Sequence, residues 1–204
     1  MLESYLIPSE NLQIEEEIKH SHFISLLFHC DSIDKLKLVL TDIKRDYPGA
    51  SHYCYAFIAS APTDTVLIGS SDDGEPTGSA GRPMLAVLQG SDLGEVGAVV
   101  VRYYGGTKLG VGGLVRAYTS GLRQGLTKLA TQMKQLRYPA KLQCDYSQLR
   151  DVEHLFQQVD AIVTNKQFAE AVNIEFEIGK HQRAKFSELL TTLSQGRLRA
   201  VFDL

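Results

Sequence analysis

An α+β protein of two domains is the fold class this sequence predicts, with residues 1–136 forming the larger domain and 137–204 the smaller. Three observations carry it. Apolar runs of strand length are interleaved with apolar stripes at helical spacing along the 204 residues. Glycine becomes scarce and the patterning regular after Arg137-Tyr138-Pro139. Beyond that point the elements follow the order βαββαβ, two similar βαβ halves of the ferredoxin-like kind.

The elements follow from the residues in order. Leu12, Ile14 and Ile18 are interleaved with polar residues, and the stretch from Phe23 to Phe28 is apolar, so the two are expected to pair as a hairpin across Lys19-His20-Ser21. Asp31 or Ser32 offers a cap to a helix carrying Ile33, Leu36, Leu40 and Ile43, which stops at Tyr47-Pro48-Gly49. His52 to Ser60 reads as a central strand, with Thr65 to Ile68 as its hairpin partner. Ser70 to Pro83 has almost nothing to bury, which predicts a surface loop. It leads into a short helix with Met84, Leu85 and Leu88 inward, ended by Gly90 to Gly94. The apolar run from Val96 to Tyr104 predicts a strand buried on both faces. Leu109 to Gln135 reads as one long helix whose core stripe is Leu114, Tyr118, Leu122, Leu126, Leu129 and Met133. Gly121 and Gly125 within it cost about 1 kcal/mol each relative to alanine, and suit a close crossing with another element. Arg116, Arg123 and Lys134 fall on the opposite line of that helix.

In the smaller domain, Ala140, Leu142 and Cys144 alternate with Lys141, Gln143 and Asp145. Ser147 can cap a helix carrying Leu149, Val152, Leu155 and Phe156. Ala161 to Gln167 and Ala171 to Ile178 read as strands, the second with Val172, Ile174, Phe176 and Ile178 on one face. A helix with Ala184, Phe186, Leu189, Leu190 and Leu193 stops at Gly196, and Arg197 to Phe202 closes as a last strand.

Composition narrows the function. Hydrophobic residues at 44% and charged residues at 22% support a packed core. A net charge of −3 excludes nonspecific coating of nucleic acid, so any such contact must come from a local patch. Cys30, Cys54 and Cys144 form neither a disulfide framework nor a zinc spacing, which fits a reducing compartment. Residues 1–10 hold Glu3 and Glu10 and no basic segment ahead of an apolar run. A cytoplasmic protein is expected, a monomer or small oligomer. No membrane partner, cofactor, metal or DNA-specific signal is expected.

The strongest candidate site is Arg102-Tyr103-Tyr104-Gly105-Gly106-Thr107-Lys108-Leu109-Gly110-Val111-Gly112-Gly113. A buried strand empties into a glycine-rich turn and then a helix, presenting bare amides at the positive helix end beside Arg102 and Lys108. That arrangement suits an anion, typically a phosphate. The competing reading is a ligand-free turn, since neither the Walker nor the dinucleotide spacing is present. Five glycines in nine positions exceed what a plain turn needs. Asp72, Asp73 and Glu75, with Thr77 and Gly78, are candidates for the opposite wall. Their carboxylates serve either as base or metal ligand, or as caps that stay wet. His52 and Cys54 share a strand face. Geometry favours a packed cysteine and a hydrogen-bonded histidine over a nucleophile pair. Of Tyr103 and Tyr104 one points to the core and the other away, to stack on a base or to cover the next helix. Arg116 and Arg123 extend the positive surface.

The stretch from Gly81 to Gly110 also matches a long family signature. It comprises Gly81, Met84-Leu85, Leu88, Leu93, Val99-Val100, Arg102, two aromatics, Gly105-Gly106, Leu109 and Gly110. With the loop Asp72-Asp73-Gly74-Glu75-Pro76-Thr77-Gly78 and the strand Ser51-His52-Tyr53-Cys54-Tyr55-Ala56, it resembles the YigZ/IMPACT family. The resemblance implies an N-terminal domain similar to the ribosomal-protein-like fold, a βαβ-containing sandwich with an unusual left-handed crossover. It implies a C-terminal ferredoxin-like domain similar to the last domain of elongation factor G, so the tandem resembles a translation-factor tip that reaches into the ribosome. Eukaryotic relatives regulate translation by binding the activator of a starvation-responsive kinase. The sequence has no room for their additional N-terminal partner-binding domain, so that partner is not expected here.

The leading expectation is therefore a non-enzymatic protein that binds RNA, the ribosome or a translation factor through the glycine-rich cleft. An enzyme acting on a nucleotide or phosphorylated substrate in the same cleft is the alternative, with Asp73 or Glu75 as base. A protein-partner module using the polar sheet face of the smaller domain is the third.

Overall fold

The computed structural model describes residues 3–202. It divides into two compact units, one spanning Tyr5–Lys134 and the other running from Gln135 onward with residues 3–4. Each has its own core. Among the described residues no helix is long and apolar enough to cross a membrane.

The first unit opens with β1 (Ser4–Pro8), followed by the predicted hairpin β2 (Leu12–Ile18) and β3 (Ser21–His29). Ser32 is the cap of α1 (Ile33–Asp46), its hydroxyl accepting from the Lys35 amide at 3.2 Å. Next come β4 (His52–Ile58), β5 (Ile68–Ser71), α2 (Gly81–Gln89), β6 (Val96–Tyr103), α3 (Val111–Lys128) and β7 (Thr131–Gln135). Five strands form an antiparallel sheet in the order β2-β3-β6-β4-β5. β3 and β4 both pair antiparallel with β6, so they run the same way, and α1 carries the chain over β6 between them.

The central strand β6 is covered on both faces, as its unbroken apolar run requires. Val96, Ala98 and Val100 pack with Met84 and Leu88 of α2 and Leu114, Tyr118 and Leu122 of α3. Val99 and Val101 pack on the other side with Leu36 and Ile43 of α1. Gly121 and Gly125 let α3 lie close against β3. A Cβ at Gly121 would run into the Ser25 hydroxyl, and one at Gly125 would stand 2.5 Å from Leu27 Cδ1.

Three expectations for this unit are corrected. The partner of β4 begins at Ile68, because Asp64 ties off the preceding turn by accepting from the Val66 amide at 2.6 Å. Ser70 and Ser71 therefore pair with Ala56 and Tyr55. The loop that follows is far from empty of buried groups, since Glu75, Ser79 and Ala80 are all buried. The long helix stops at Lys128, and residues 131–135 form β7 beside β1. The helical spacing of Leu129 and Met133 persists past the helix end, but β1 supplies a ladder partner, and Met133 is exposed. Lys134 leaves the line of Arg116 and Arg123 and pairs with Glu95.

The second unit holds β8 (Arg137–Cys144), α4 (Leu149–Gln158), β9 (Ile162–Phe168), β10 (Val172–Gly179), α5 (Arg183–Ser194) and β11 (Val201–Phe202). The sheet order β11-β8-β10-β9 is the ferredoxin-like arrangement. Phe156, Phe176 and Phe186 fill its core with ring centroids 4.6 to 5.4 Å apart. Arg137, Tyr138 and Pro139 lie inside β8, opposite Gly179, Ile178 and Glu177. Gln148, not Ser147, precedes α4, and no side chain caps it. The closing strand is two residues long.

Candidate functional site

Where β6 ends and the chain turns through residues 104–110 into α3, the surface opens into a cavity of about 530 Å³. His52 of β4, Glu75 and Pro76 of the preceding loop, Arg102 of β6, and Tyr104, Lys108, Leu109 and Gly110 of the glycine loop line it. Val111 and Leu114 of α3 complete the wall.

The glycines there serve different purposes. Gly105 sits so close to the β2–β3 turn that a Cβ would collide with the His20 carbonyl, and its amide donates to Ser21 Oγ at 3.2 Å. Gly110 is the N-cap of α3, with φ 73° and ψ 163°, a backbone region that side chains resist. Having no side chain, it cannot cap the helix. The first turn of α3 carries no acid either. The first-turn amides have no acceptor within the helix, and no side chain of the helix's own first turn offsets the positive end of this 18-residue helix beside the cavity.

The floor is a buried ion pair. Arg102 Nη1 donates to Glu75 Oε1 at 2.5 Å, with the side chains 5% and 3% exposed. The Tyr118 hydroxyl donates to the same oxygen at 2.7 Å. The Arg102 guanidinium lies 5.3 Å from the ring centroids of Phe23 and Tyr104, and its Nη2 donates to Ser21 Oγ at 3.4 Å. Its Nε has no hydrogen-bond partner. Arg102 is thus a half-satisfied structural cation, not the free charge expected from the sequence. An arginine inside an otherwise apolar strand needs a buried counter-ion. That arginine signals that a buried acid must exist, though not which of the loop acids it is. Tyr118, read from its spacing as a plain core residue, has its phenol pushed far up by burial and by the neighbouring Cys54 and Glu75.

His52 Nδ1 donates to the Asp73 carbonyl at 2.8 Å, which leaves Nε2 on the side of Glu75, 3.8 Å from Oε1. Cys54 donates its thiol to the Asp72 carbonyl at 3.0 Å. Burial pushes that thiol up to about 12, so no thiolate nucleophile forms and the pair is structural. Asp72 accepts from the amides of Gly78, Ala80 and Gly81 at 2.8 to 3.0 Å. Burial raises its carboxyl, and those amides outweigh burial and hold it below the usual range. It closes the turn into α2. Asp73 accepts from the Tyr53 amide at 2.7 Å.

The cavity therefore brings together His52, Glu75, Arg102, Tyr104, Lys108 and Gly110. Gly106, Gly112, Gly113 and Arg116 flank it in the loop and first turns of α3, where Arg116 Nε donates to the Gly112 carbonyl at 3.3 Å. Others of the expected set lie elsewhere. Tyr103 packs with the α1-side core and donates to the Pro48 carbonyl at 3.3 Å. Arg123 lines a separate concavity of about 490 Å³ with Leu6, Val87 and Leu126. Thr77 and Gly78 belong to the turn, outside the lining. Among the described residues no three His, Cys, Asp or Glu side chains are grouped to hold a metal ion.

Comparison with known proteins adds the lineage. Residues 19–126 match the family described as Impact N-terminal domain, and residues 142–197 match one described as a domain of unknown function (DUF1949). The chain is 45% identical over 194 residues to an "IMPACT family member" of Haemophilus influenzae, covering 95% of this chain and 94% of that one. It is 44% identical over 198 residues to "IMPACT family member YigZ" of Escherichia coli, covering 97% of each. A solved structure described as the crystal structure of an hypothetical protein superposes with a TM-score of 0.83 at 43% identity, covering 100% of this chain and 99% of that one.

Proposed function

This chain belongs to the IMPACT family, and we propose that it is a non-enzymatic protein that binds RNA of the translation machinery, seating a phosphate in the cavity at the start of α3. One observation carries this reading: the helix end is uncapped by any side chain and lies beside Lys108, over a floor whose only carboxylate is already neutralised by Arg102. Phosphate oxygens accept from first-turn amides, and Lys108 supplies charge. Tyr104, half exposed at the mouth, offers ring surface to a base. Arg116 stands one turn along the helix. IMPACT proteins are linked in general to translation regulation, which is the setting this reading adopts. It carries with it a cytoplasmic location.

The test is the affinity for a short single-stranded RNA, read by fluorescence anisotropy across a range of salt concentrations. Binding is expected to weaken as salt rises, because each phosphate contact releases counter-ions. Lys108→Met is expected to weaken it further and to make the salt dependence shallower. Affinity that ignores both salt and Lys108 contradicts the reading.

A second reading, an enzyme on a phosphorylated small molecule, draws on His52. Its Nε2 faces Glu75 Oε1 at 3.8 Å, in a cavity of the size small ligands occupy. Thermal stabilisation by one particular nucleotide with Mg²⁺, lost in His52→Asn, favours that reading over the first.

A further inference from the structure

Resting on the RNA reading, we infer that the group seated in the cavity is a terminal phosphate monoester, the end of an RNA chain, and not an internal diester. Three features of the site support a chain end. The first is how its polar groups converge. His52 comes from β4, Lys108 from the glycine loop and the first-turn amides from α3, around one cavity whose floor is the Arg102–Glu75 pair. A monoester carries a charge of about −1.5 to −2 near neutrality and three terminal oxygens, against one charge and two free oxygens for a diester. Donors arriving from several walls suit the first better than the second.

The second feature is the remaining wall. Pro76, Leu109, Val111 and Leu114 make the rest of the lining apolar. A polynucleotide threading through carries a phosphate at every unit, and the phosphates flanking the seated one would be stripped of water against this surface without a partner. A chain end has one neighbour only. Its terminal nucleoside meets the apolar wall and Tyr104, and the next phosphate is already outside.

The third feature is His52. Because Nδ1 donates to the Asp73 carbonyl, Nε2 is the nitrogen available to a ligand. It accepts the proton of a singly protonated monoester or, when itself protonated, donates to the dianion. A diester has no such proton to share. Arg102 below it is 4% exposed and its charge is met by Glu75, so Nε2 of His52 and Lys108 are the side-chain groups left for the ligand.

One RNA sequence prepared with a 5′-phosphate, with a 3′-phosphate and with hydroxyls at both ends tests this by competition, alongside a nucleoside 5′-monophosphate. One phosphorylated form is expected to bind roughly tenfold or more tighter than the hydroxyl form, the gain of charge-assisted hydrogen bonds to the end group. It is also expected to outcompete the mononucleotide, and which form wins identifies the end. Equal affinity for all three RNAs overturns the inference and leaves RNA binding standing. Binding of the mononucleotide with no RNA competing removes both. His52→Asn keeps an amide to donate to the Asp73 carbonyl but lacks Nε2. With its melting temperature checked, it is expected to bring the affinities of the phosphorylated and hydroxyl RNAs to within about threefold of each other. A preference retained in full by this variant overturns the role of His52.

Discussion

Glu75 and Arg102 meet inside the protein, and their pairing sets what each can do. Arg102→Ala would leave a buried carboxylate, and Glu75→Ala a buried guanidinium. Breaking such a pair from one side typically costs about 3–5 kcal/mol. Glu75→Ala is therefore expected to lose stability of that order in urea denaturation, and a loss below about 1 kcal/mol contradicts the burial of the pair. Glu95 tells a related story at the other end of β6. It accepts from Tyr5 at 2.9 Å and His29 at 2.7 Å and pairs with Lys134. Burial raises its carboxyl, but Lys134, His29 and Tyr5 together outweigh burial and hold it below the ordinary 4.5. A carboxyl depressed in the folded state contributes stability that is present above its unfolded value and lost as pH falls through the folded one. Glu95→Gln is expected to flatten the acid limb of the stability curve below about pH 4.5. An unchanged limb contradicts the pairing. Neither acid stands out in the sequence, because Glu75 sits among loop carboxylates and Glu95 follows a glycine turn. Their partners are distant along the chain, and only the arginine in an apolar strand hinted at one of them.

Among the elements, α3 does most to build the site, and its sequence explains both its seat and its open end. Gly121 and Gly125 were legible as close-crossing positions, and the helix does press its backbone against β3 there. Gly121→Ala sets two effects against each other. Alanine favours the helix by about 1 kcal/mol, but its methyl would strike the buried Ser25 hydroxyl, and overpacking costs about 1–3 kcal/mol. A net fall in melting temperature is expected, and a rise contradicts the tight crossing. The far end of α3 was illegible for a physical reason. Leu129 and Met133 keep the helical period, while the partner that turns residues 131–135 into a strand lies more than a hundred residues earlier. The β4–β5 hairpin lies a few residues from where the hydrophobic pattern puts it, because the turn is fixed by the Asp64 side chain, which that pattern does not register.

Over the whole molecule, how much was legible tracks how local the contacts are. The second unit is legible in nearly all its elements, since the alternation along Ala140, Leu142 and Cys144 and along Val172 to Ile178 is a local signal that the sheet preserves. The strand order of the first unit, with β6 between β3 and β4, depends on long-range pairing that no stretch of sequence encodes by itself. The candidate site was half legible: the glycine loop and Lys108 stand out by composition, whereas the floor under them was hidden by the same long-range pairing. A net charge of −3 also means that RNA affinity must come from this local patch, not from the molecule's overall field. Gly112 gives the most direct test, because it lies in the first turn of α3 with nothing within 4 Å of where a Cβ would stand. Gly112→Asp places a carboxylate at the positive helix end, which stabilises such helices by about 0.3–1 kcal/mol. It also takes up the amides and the charge that a phosphate would use. The expected result is a melting temperature held or raised, together with loss of RNA binding. A variant that folds and still binds RNA as tightly as the parent contradicts a phosphate seat at the start of α3.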